Sequence, residues 1–176
     1  MLALVKNKVP LLSFIYAPAY GKGYFAAQGE GAYLFFKKDF KAIPNEKVFE
    51  QNRIHVDKAT PIENRIFLIS SMKKYRREVE WFESQAIHDY QIKGSIGLKI
   101  GSIAEKKAHY YLNTNSYLKI WDVLPVQLLL QEAGGVIGDM FGNELTYPNN
   151  HFQLEQGLFA APQFSFKNSF QHLVKN

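Results

Sequence analysis

The chain has 176 residues, of which 47% are hydrophobic and 21% charged, and these fractions fit one globular domain, or one and a half, with a sizeable core. It contains no cysteine, which excludes disulfides, thiolate metal sites and cysteine nucleophiles and favours a reducing, cytoplasmic environment. The 21 basic and 16 acidic residues give a formal charge of +5, which favours an anionic partner without choosing among phosphorylated small molecules, nucleic acid and acidic lipid.

The first part of the chain has the pattern of an antiparallel β-meander. Apolar and aromatic runs alternate with short segments that contain proline and glycine, and connections this short join antiparallel neighbours. The opening run, interrupted by Lys6 and Lys8, is too short to span a membrane, so no membrane partner is expected. The predicted strands cover residues 3–5, 11–16, 23–27 and 31–36, followed by a polar loop over 37–52 and a short strand over 53–56.

From residue 62 onward the pattern alternates between strand and helix. Predicted strands cover residues 66–69, 90–92, 108–112, 136–139 and 157–160, and predicted helices cover 75–86, 95–106, 123–133 and 164–174. Gly97 and Gly101 lie four residues apart on one of these helices, so another backbone is expected to pack closely there. The predicted fold class is α/β in α+β layers: an antiparallel meander, then an α/β unit with a mostly parallel sheet. Residues 1–61 are expected to be the remnant of an N-terminal antiparallel layer plus a loop, and 62–176 a C-terminal α/β domain.

Asp122 is the sharpest candidate for chemistry. It stands where the helix over 123–133 opens, and a carboxylate there can accept backbone N–H bonds as an N-cap. Capping alone would explain the residue. The functional alternative is that Asp122 also faces a cleft beyond the strand ends and holds a hard cation through oxygen.

A second candidate is the segment Gly94-Ser95-Ile96, which also joins a strand to a helix start. Free N–H groups there could hold an anion or a polar ligand group. The structural alternative is that the glycine relieves a tight turn and Ser95 caps the helix. No His-x-x-x-His pair, Gly-x-Ser-x-Gly elbow or P-loop occurs in the sequence, so no catalytic residue is assigned.

Two groups of motifs occur in a fixed order along the chain. Gly94-Ser95-Ile96-Gly97, Ile120-Trp121-Asp122 and Glu132-Ala133-Gly134-Gly135 form the stronger group, and Tyr16-Ala17-Pro18 with Gly29-Glu30-Gly31-Ala32-Tyr33 forms the weaker one. Together they resemble the inositol monophosphatase superfamily, which includes inositol monophosphatases, bisphosphate nucleotidases acting on 3′-phosphoadenosine 5′-phosphate, and fructose bisphosphatase relatives. The resemblance implies a Mg²⁺-dependent phosphate monoester hydrolase acting on a phosphorylated small molecule. It implies Asp122 as a metal ligand, and Gly94, Ser95, Ile96 and Ser70 on the substrate side; Ser70 could equally be a strand-end serine that bonds the backbone.

The sequence departs from the family in its metal ligands. Family members carry an upstream Glu-Glu and an Asp-Pro-x-Asp-Gly-Thr loop, but this sequence contains neither Glu-Glu nor Asp-Gly. Mg²⁺ needs near-octahedral oxygen ligation, which one aspartate does not supply, although Asp139 is a candidate substitute. The chain is therefore expected to be the C-terminal portion of a phosphatase, arising from truncation, a split gene or expression from an internal Met, and to be inactive alone.

Within the family, the stretch over 112–119 contains no acid and ends in Lys119, whereas inositol phosphatases usually place a Glu there. This difference slightly favours a bisphosphate nucleotidase, because a second phosphate would welcome positive charge. The main alternative is a catalytically silent interaction or regulatory protein on the same fold. A nucleic-acid-binding module ranks last, because the basic run Lys73, Lys74, Arg76 and Arg77 belongs to no recognised motif and is simpler as a solvated helix face. A homodimer through an exposed sheet edge is also open.

Overall fold

The computed structural model describes residues 1–41, 46–69, 76–84, 86–114, 117–147 and 152–163, and within these ranges it contains two five-stranded sheets, a two-stranded ribbon and four α-helices. The strands are β1 (Leu2–Lys6), β2 (Val9–Ala17), β3 (Lys22–Ala27), β4 (Gly31–Phe36), β5 (Arg53–Ile54), β6 (Ile66–Ile69), β7 (Asp89–Ile92), β8 (Tyr110–Asn113), β9 (Leu118–Lys119), β10 (Val136–Gly138), β11 (Gln153–Leu154) and β12 (Leu158–Ala161). The helices are α1 (Glu46–Gln51), α2 (Arg76–Ser84), α3 (Ile96–Ala104) and α4 (Ile120–Glu132). No described helix has both the length and the apolar character needed to cross a membrane.

The first sheet is the predicted meander. Its order is β1-β2-β3-β4-β5, and every neighbouring pair is antiparallel. Alternate residues of β2 point to opposite faces, so Ile15 is buried against the helices while Phe14 and Tyr16 are exposed on the other side. Strand β1 is one edge of this sheet, and its Leu2 and Leu4 are also exposed.

The loop predicted over 37–52 was wrong in part, because it contains a 3₁₀ turn over Lys37–Lys41 and helix α1. The composition of this stretch is polar, which hides the one residue that anchors the helix. The Phe49 ring packs edge-on against Tyr33 and Phe35 of β4, with ring centroids 5.2 and 5.4 Å apart, and also contacts Phe25 of β3. Aromatic packing of this kind stabilises a helix too short to persist by itself.

The second sheet is mixed. Its order is β10-β12-β8-β6-β7, in which β6 pairs parallel with β7 and β8, while β12 pairs antiparallel with β8 and β10. The parallel pairs are those whose strands are joined through helices, as crossover connections require. Strand β12 follows β10 through a loop and the ribbon strand β11, so it enters the sheet in the opposite direction. The layered α+β fold class is confirmed, with the parallel character confined to half of this sheet.

Helices α3 and α4 pack against each other and contact both sheets, so they form the middle of the molecule. One buried apolar cluster joins Tyr24 of the first sheet, Ile100 of α3, Leu129 of α4 and Tyr111 of the second sheet. The division into 1–61 and 62–176 stays a prediction, and the apolar cluster crosses that boundary.

The two glycines of α3 make room for side chains rather than for another backbone, which corrects the prediction made from their spacing. A Cβ on Gly101 would lie 2.3 Å from Cζ of Tyr24, and a Cβ on Gly97 would lie 3.0 Å from Cγ2 of Ile15. The reason is that α3 lies on the inner face of a sheet, whose side chains reach it before any backbone does.

On the outer side of the second sheet, α2 buries Val79 and Phe82, as its spacing predicted. Phe82 stacks on Phe67 of β6 with centroids 4.3 Å apart. Lys73, Lys74, Ser70 and the helix predicted over 164–174 lie outside the described residues. Arg76 and Arg77 begin α2, so the described end of the basic run belongs to a helix as predicted.

Candidate functional site

Asp122 lies in the first turn of α4, at the N-terminal end of the helix, as the sequence predicted. The helix begins at Ile120, three residues earlier than predicted, and its N-cap is Lys119, which makes no side-chain capping bond. The N-cap interpretation of Asp122 is therefore wrong. The start is moved back because Leu118 and Lys119 are held in strand β9 against β11, so the chain enters the helix directly from that ribbon.

The carboxylate of Asp122 is half-buried and carries no hydrogen bond or ion pair to any residue that the structure describes. Its place in the first turn puts the carboxylate near the positive end of the helix dipole. A carboxylate that no described residue binds can serve here as an oxygen ligand for a hard cation.

Asp139, the other carboxylate considered for a cation, is used by its own loop. Its Oδ1 accepts hydrogen bonds from the backbone N–H groups of Phe141 and Asn143, both at 2.8 Å, and its Oδ2 accepts from Nδ2 of Asn143 at 3.0 Å. The side chain is buried. These bonds stabilise the turn after β10 and leave Asp139 with a structural role.

The segment Gly94-Ser95-Ile96 leads into α3 as predicted. Ser95 is the N-cap, and its Oγ accepts a hydrogen bond from the backbone N–H of Leu98 at 3.4 Å, which confirms the capping alternative. Gly94 and Ser95 are exposed, whereas Ile96 is half-buried and packs on the main apolar cluster. A Cβ on Gly94 would meet nothing within 4 Å, so the space around this residue does not require glycine.

Gly94 lines a pocket of about 240 Å³ between the first sheet and α3. The remaining lining residues come from the turn before β3, from the end of β7 and from α3; they are Tyr20, Lys22, Ile92, Lys93, Leu98 and Ser102. Asp122 is not among them, so a cleft shared by Asp122 and Gly94 stays a prediction. This pocket could not be predicted from the sequence, because its two lysines are about 70 residues apart in the chain and meet only when β3 packs beside α3.

Lys22, which lines the pocket, is bound by Glu105, the residue that follows α3. The Glu105 carboxylate is almost completely buried and is bound by Lys22, Lys107 and the hydroxyl of Tyr24. Burial alone would raise the pKa of Glu105, but the hydrogen bonds from Lys107, Lys22 and Tyr24 outweigh it and hold that pKa below its ordinary value. Burial, together with the bond to Glu105, raises the pKa of Tyr24. Glu105 is therefore ionised and Tyr24 neutral at pH 7.

Two exposed aromatic rings lie at the start of α4. Trp121 of α4 and Phe152 have ring centroids 6.2 Å apart, and both are more than half exposed. Lys119, next to them in sequence, donates a hydrogen bond from Nζ to Oε1 of Gln153 at 2.7 Å. The β9–β11 ribbon therefore fixes a positive charge and an apolar surface close to the first turn of α4.

No group of three His, Asp or Glu side chains within the described ranges is arranged to hold a metal ion. The described donors therefore do not make up a complete Mg²⁺ site, since that ion takes near-octahedral oxygen ligation. Asp122 stands as a single carboxylate.

A profile of the inositol monophosphatase family matches residues 1–166. The 3′(2′),5′-bisphosphate nucleotidase CysQ of Aggregatibacter actinomycetemcomitans is 29% identical over 147 residues, which cover 84% of this chain and 50% of that protein. The proposed Nus factor SuhB of Neisseria meningitidis serogroup B is 27% identical over 143 residues, covering 81% of this chain and 51% of that protein. The inositol monophosphatase of Anabaena (Nostoc) sp. PCC 7120 has the same fold, with a TM-score of 0.70 at 18% identity over 97% of this chain and 60% of that one.

The chain thus spans 50–51% of the length of these two curated relatives. The family profile nevertheless covers almost all of it, including both groups of motifs, from Tyr16-Ala17-Pro18 to Glu132-Ala133-Gly134-Gly135. The chain belongs to the inositol monophosphatase family.

Proposed function

We propose that these 176 residues form the substrate-side part of a Mg²⁺-dependent phosphate monoester hydrolase and supply one of its metal ligands, Asp122. The observation that carries the proposal is the half-buried carboxylate of Asp122 in the first turn of α4, which no described residue binds, within a chain that belongs to a phosphatase family. Gly94, Ser95 and Ile96 lie at the start of the neighbouring helix α3, where free backbone N–H groups can contact substrate. Ser70 is assigned to the substrate side by the family resemblance alone.

The polypeptide of these residues is proposed to be inactive by itself. Metal-assisted phosphoryl transfer needs the charge of both the attacking and the leaving oxygen to be stabilised, and Mg²⁺ binds through several carboxylates and waters. Asp122 is one such ligand, and Asp139 is occupied by its own turn. The remaining ligands would have to come from another segment or another polypeptide.

A bisphosphorylated nucleotide is the proposed substrate class. The relative CysQ is named as a 3′(2′),5′-bisphosphate nucleotidase. In this chain the stretch before Trp121 has no acid, and Lys119 is held in place by Gln153. The exposed rings of Trp121 and Phe152 offer a surface on which a nucleobase could stack.

The proposal is tested by assaying the purified chain with 3′-phosphoadenosine 5′-phosphate and with inositol monophosphate, each with Mg²⁺ and with chelator. We expect no turnover above background in any of the four conditions, and weak binding of Mg²⁺ that is lost in Asp122→Asn. Chelator-sensitive turnover that disappears in Asp122→Asn would contradict the proposed inactivity, and unchanged Mg²⁺ binding in that variant would remove Asp122 from the metal site.

A catalytically silent interaction or regulatory protein is the second candidate. It is supported by the relative SuhB, whose name describes a proposed Nus factor rather than an enzyme. The two candidates differ in the expected effect of Asp122→Asn. A regulatory protein should keep its binding to a partner in this variant, whereas a phosphatase subunit should lose its binding of Mg²⁺.

A homodimer is proposed through the first sheet. Strand β1 is an unpaired edge, and exposed edges pair with other strands unless they are protected. The exposed side chains of Leu2, Leu4 and Phe14 extend this edge into an apolar surface. Light scattering of wild-type protein and of Leu4→Lys distinguishes the states, since the lysine should shift a dimer toward monomer.

A further inference from the structure

We propose that the pocket between Lys22 and Lys93 binds a phosphate or sulfate group, as an anion site separate from any metal at Asp122. The two ammonium groups come from strand β3 and from the end of strand β7, and both line the same space of about 240 Å³. Gly94, Leu98 and Ser102, from the start of α3 and its second turn, complete the wall between them.

The charges around this pocket do not balance. Lys22 and Lys93 line the pocket, and of these two Lys22 is bound by the Glu105 carboxylate. The Lys93 ammonium makes no ion pair with a described residue. An excess of about one positive charge at a part-buried position is a favourable environment for an anion such as a phosphate group.

The hydrogen bonding of Lys93 leaves donors for a ligand. Its Nζ donates to Oγ of Ser102 at 2.6 Å, and Ser102 in turn donates to the carbonyl oxygen of Leu98 at 2.8 Å. An ammonium group has three N–H donors, and Ser102 takes one of them. Ser102 cannot rotate to release Lys93 without losing its own bond, so the ammonium is held at the pocket wall with N–H groups to spare.

The electrostatic state of Lys93 agrees with this arrangement. Burial and the nearby charge of Lys22 lower the pKa of Lys93, and Glu105 only partly offsets them. Bringing a dianion into the pocket would reverse that effect, because a nearby negative charge favours the protonated ammonium. Binding of an anion and a rise in the pKa of Lys93 should therefore occur together.

The size of the pocket fits a phosphate group with part of the molecule that carries it. A volume of about 240 Å³ corresponds to roughly eight water molecules at the liquid-volume share of one water. Tyr20 and Ile92 are exposed apolar side chains at its rim. The rim could therefore contact the carbon skeleton of a phosphorylated small molecule while the lysines hold its phosphate.

The test is the binding of inorganic phosphate to the purified chain, in the presence of chelator and at constant ionic strength. Binding is measured by the shift in thermal unfolding and by NMR of ¹³C-labelled lysine. Wild type should show saturable stabilisation and a raised pKa of one lysine. Lys93→Gln should bind phosphate roughly tenfold more weakly, the loss expected for one charge-assisted hydrogen bond. Ser102→Ala keeps both charges but frees the ammonium, and should weaken binding by a smaller factor.

Lys6→Gln is the matched control, because Lys6 is an exposed residue of β1 and its loss changes the net charge equally. It should bind phosphate like wild type. Without phosphate, Lys93→Gln should be at least as stable as wild type, because it removes the repulsion from Lys22. Equal phosphate binding by wild type and a folded Lys93→Gln would overturn the proposal, as would an equal loss in Lys6→Gln.

A second arm distinguishes free phosphate from a phosphorylated small molecule. If 3′-phosphoadenosine 5′-phosphate binds more tightly than inorganic phosphate and the difference depends on Lys93, the site holds a phosphate of a larger ligand. If both bind equally, the site recognises the phosphate group alone and makes no contact with the rest of the ligand. Either result supports the anion site. Because chelator removes metal throughout, failure of this test leaves the role of Asp122 untouched, and failure of the phosphatase proposal leaves the anion site untouched.

Discussion

Glu132, the last residue of α4, accepts a hydrogen bond from the backbone N–H of Gly31 through Oε2 at 2.9 Å. Its Oε1 accepts another from the backbone N–H of Gly29 at 2.8 Å. One carboxylate thus binds the middle of the turn between β3 and β4 and the first residue of β4. The bond joins the two groups of motifs that carry the family resemblance, which lie about 100 residues apart in sequence. It also holds the C-terminal end of α4 against the first sheet, and Asp122 lies at the other end of the same helix.

Replacing Glu132 with Gln should destabilise the protein by about 1–3 kcal/mol, because one of the two backbone N–H groups would face an amide NH₂ and lose its acceptor. Chemical denaturation measures the change. Glu30→Gln is the matched control, because Glu30 is an exposed residue of the same turn and its substitution removes the same charge. An equal loss in both variants would mean that the charge matters and the two hydrogen bonds do not.

Gly101 should tolerate no side chain, because Tyr24 occupies the space. A Cβ there would lie 2.3 Å from Cζ of the ring, and Tyr24 is fully buried and bound to Glu105, so the ring has little freedom to move. Gly101→Ala should cost about 1–3 kcal/mol of unfolding free energy, the range for overpacking a core. Gly94→Ala, with open space at its Cβ, should be nearly neutral, and denaturation midpoints of the two variants give the comparison.

The sequence predicted the elements whose pattern is local. Strands β2, β3 and β4 are apolar and aromatic runs of six to nine residues between short turns, and Ile66–Ile69 was found with its bounds unchanged. Helix α1 was missed because Phe49 stabilises it through contacts with other strands, which no local pattern records.

The candidate site divides in the same way. Asp122 and the start of α3 could be found because motifs carry them, but the N-cap role of Asp122 failed since it depends on where β9 ends. The anion pocket could not be found, because Lys22 and Lys93, which line it, are distant in the sequence and come from different strands. Contacts between distant segments follow from packing, and packing is what a single sequence leaves unspecified.

Stability should fall as the pH drops below about 6.5, and His109 is the cause. Burial lowers the pKa of His109 from its ordinary value of 6.5, and its Nδ1 accepts a hydrogen bond from the backbone N–H of Ile66 at 3.0 Å. A pKa lowered by folding means that the unfolded chain binds the proton more readily, so stability is complete above about pH 6.5 and is lost as the pH falls toward the folded value. Stability should therefore be lower at pH 5 than at pH 7.

Denaturation curves at several pH values measure this loss, with His109→Asn as the comparison. The Asn Oδ1 can take the place of Nδ1 as acceptor for Ile66 and does not titrate, so the curve should flatten between pH 7 and pH 5. Asp57, whose pKa is lowered mainly by its hydrogen bond from Thr60, loses its contribution only below about pH 4, so its effect stays separate. An unchanged slope in His109→Asn would assign the loss to other groups.

Completing the metal ligand set should restore activity to a chain that contains these residues. The design is a chimera in which the part of the CysQ relative that this chain does not match, 50% of that protein, is joined to residues 1–176. We expect hydrolysis of 3′-phosphoadenosine 5′-phosphate that requires Mg²⁺ and stops on addition of chelator, because the added carboxylates and Asp122 together would supply the oxygen ligands that Mg²⁺ takes.

Asp122→Asn in the chimera should lower kcat/KM by about 100-fold or more, since even partners outside the ligand shell cost 10–100-fold. Asp89→Asn, an exposed carboxylate on the edge strand β7, is the control and should leave activity unchanged. Activity that survives chelator would contradict the Mg²⁺ requirement. Activity that Asp122→Asn leaves intact would remove Asp122 from the metal site, because the metal would then be held without the carboxylate that α4 presents.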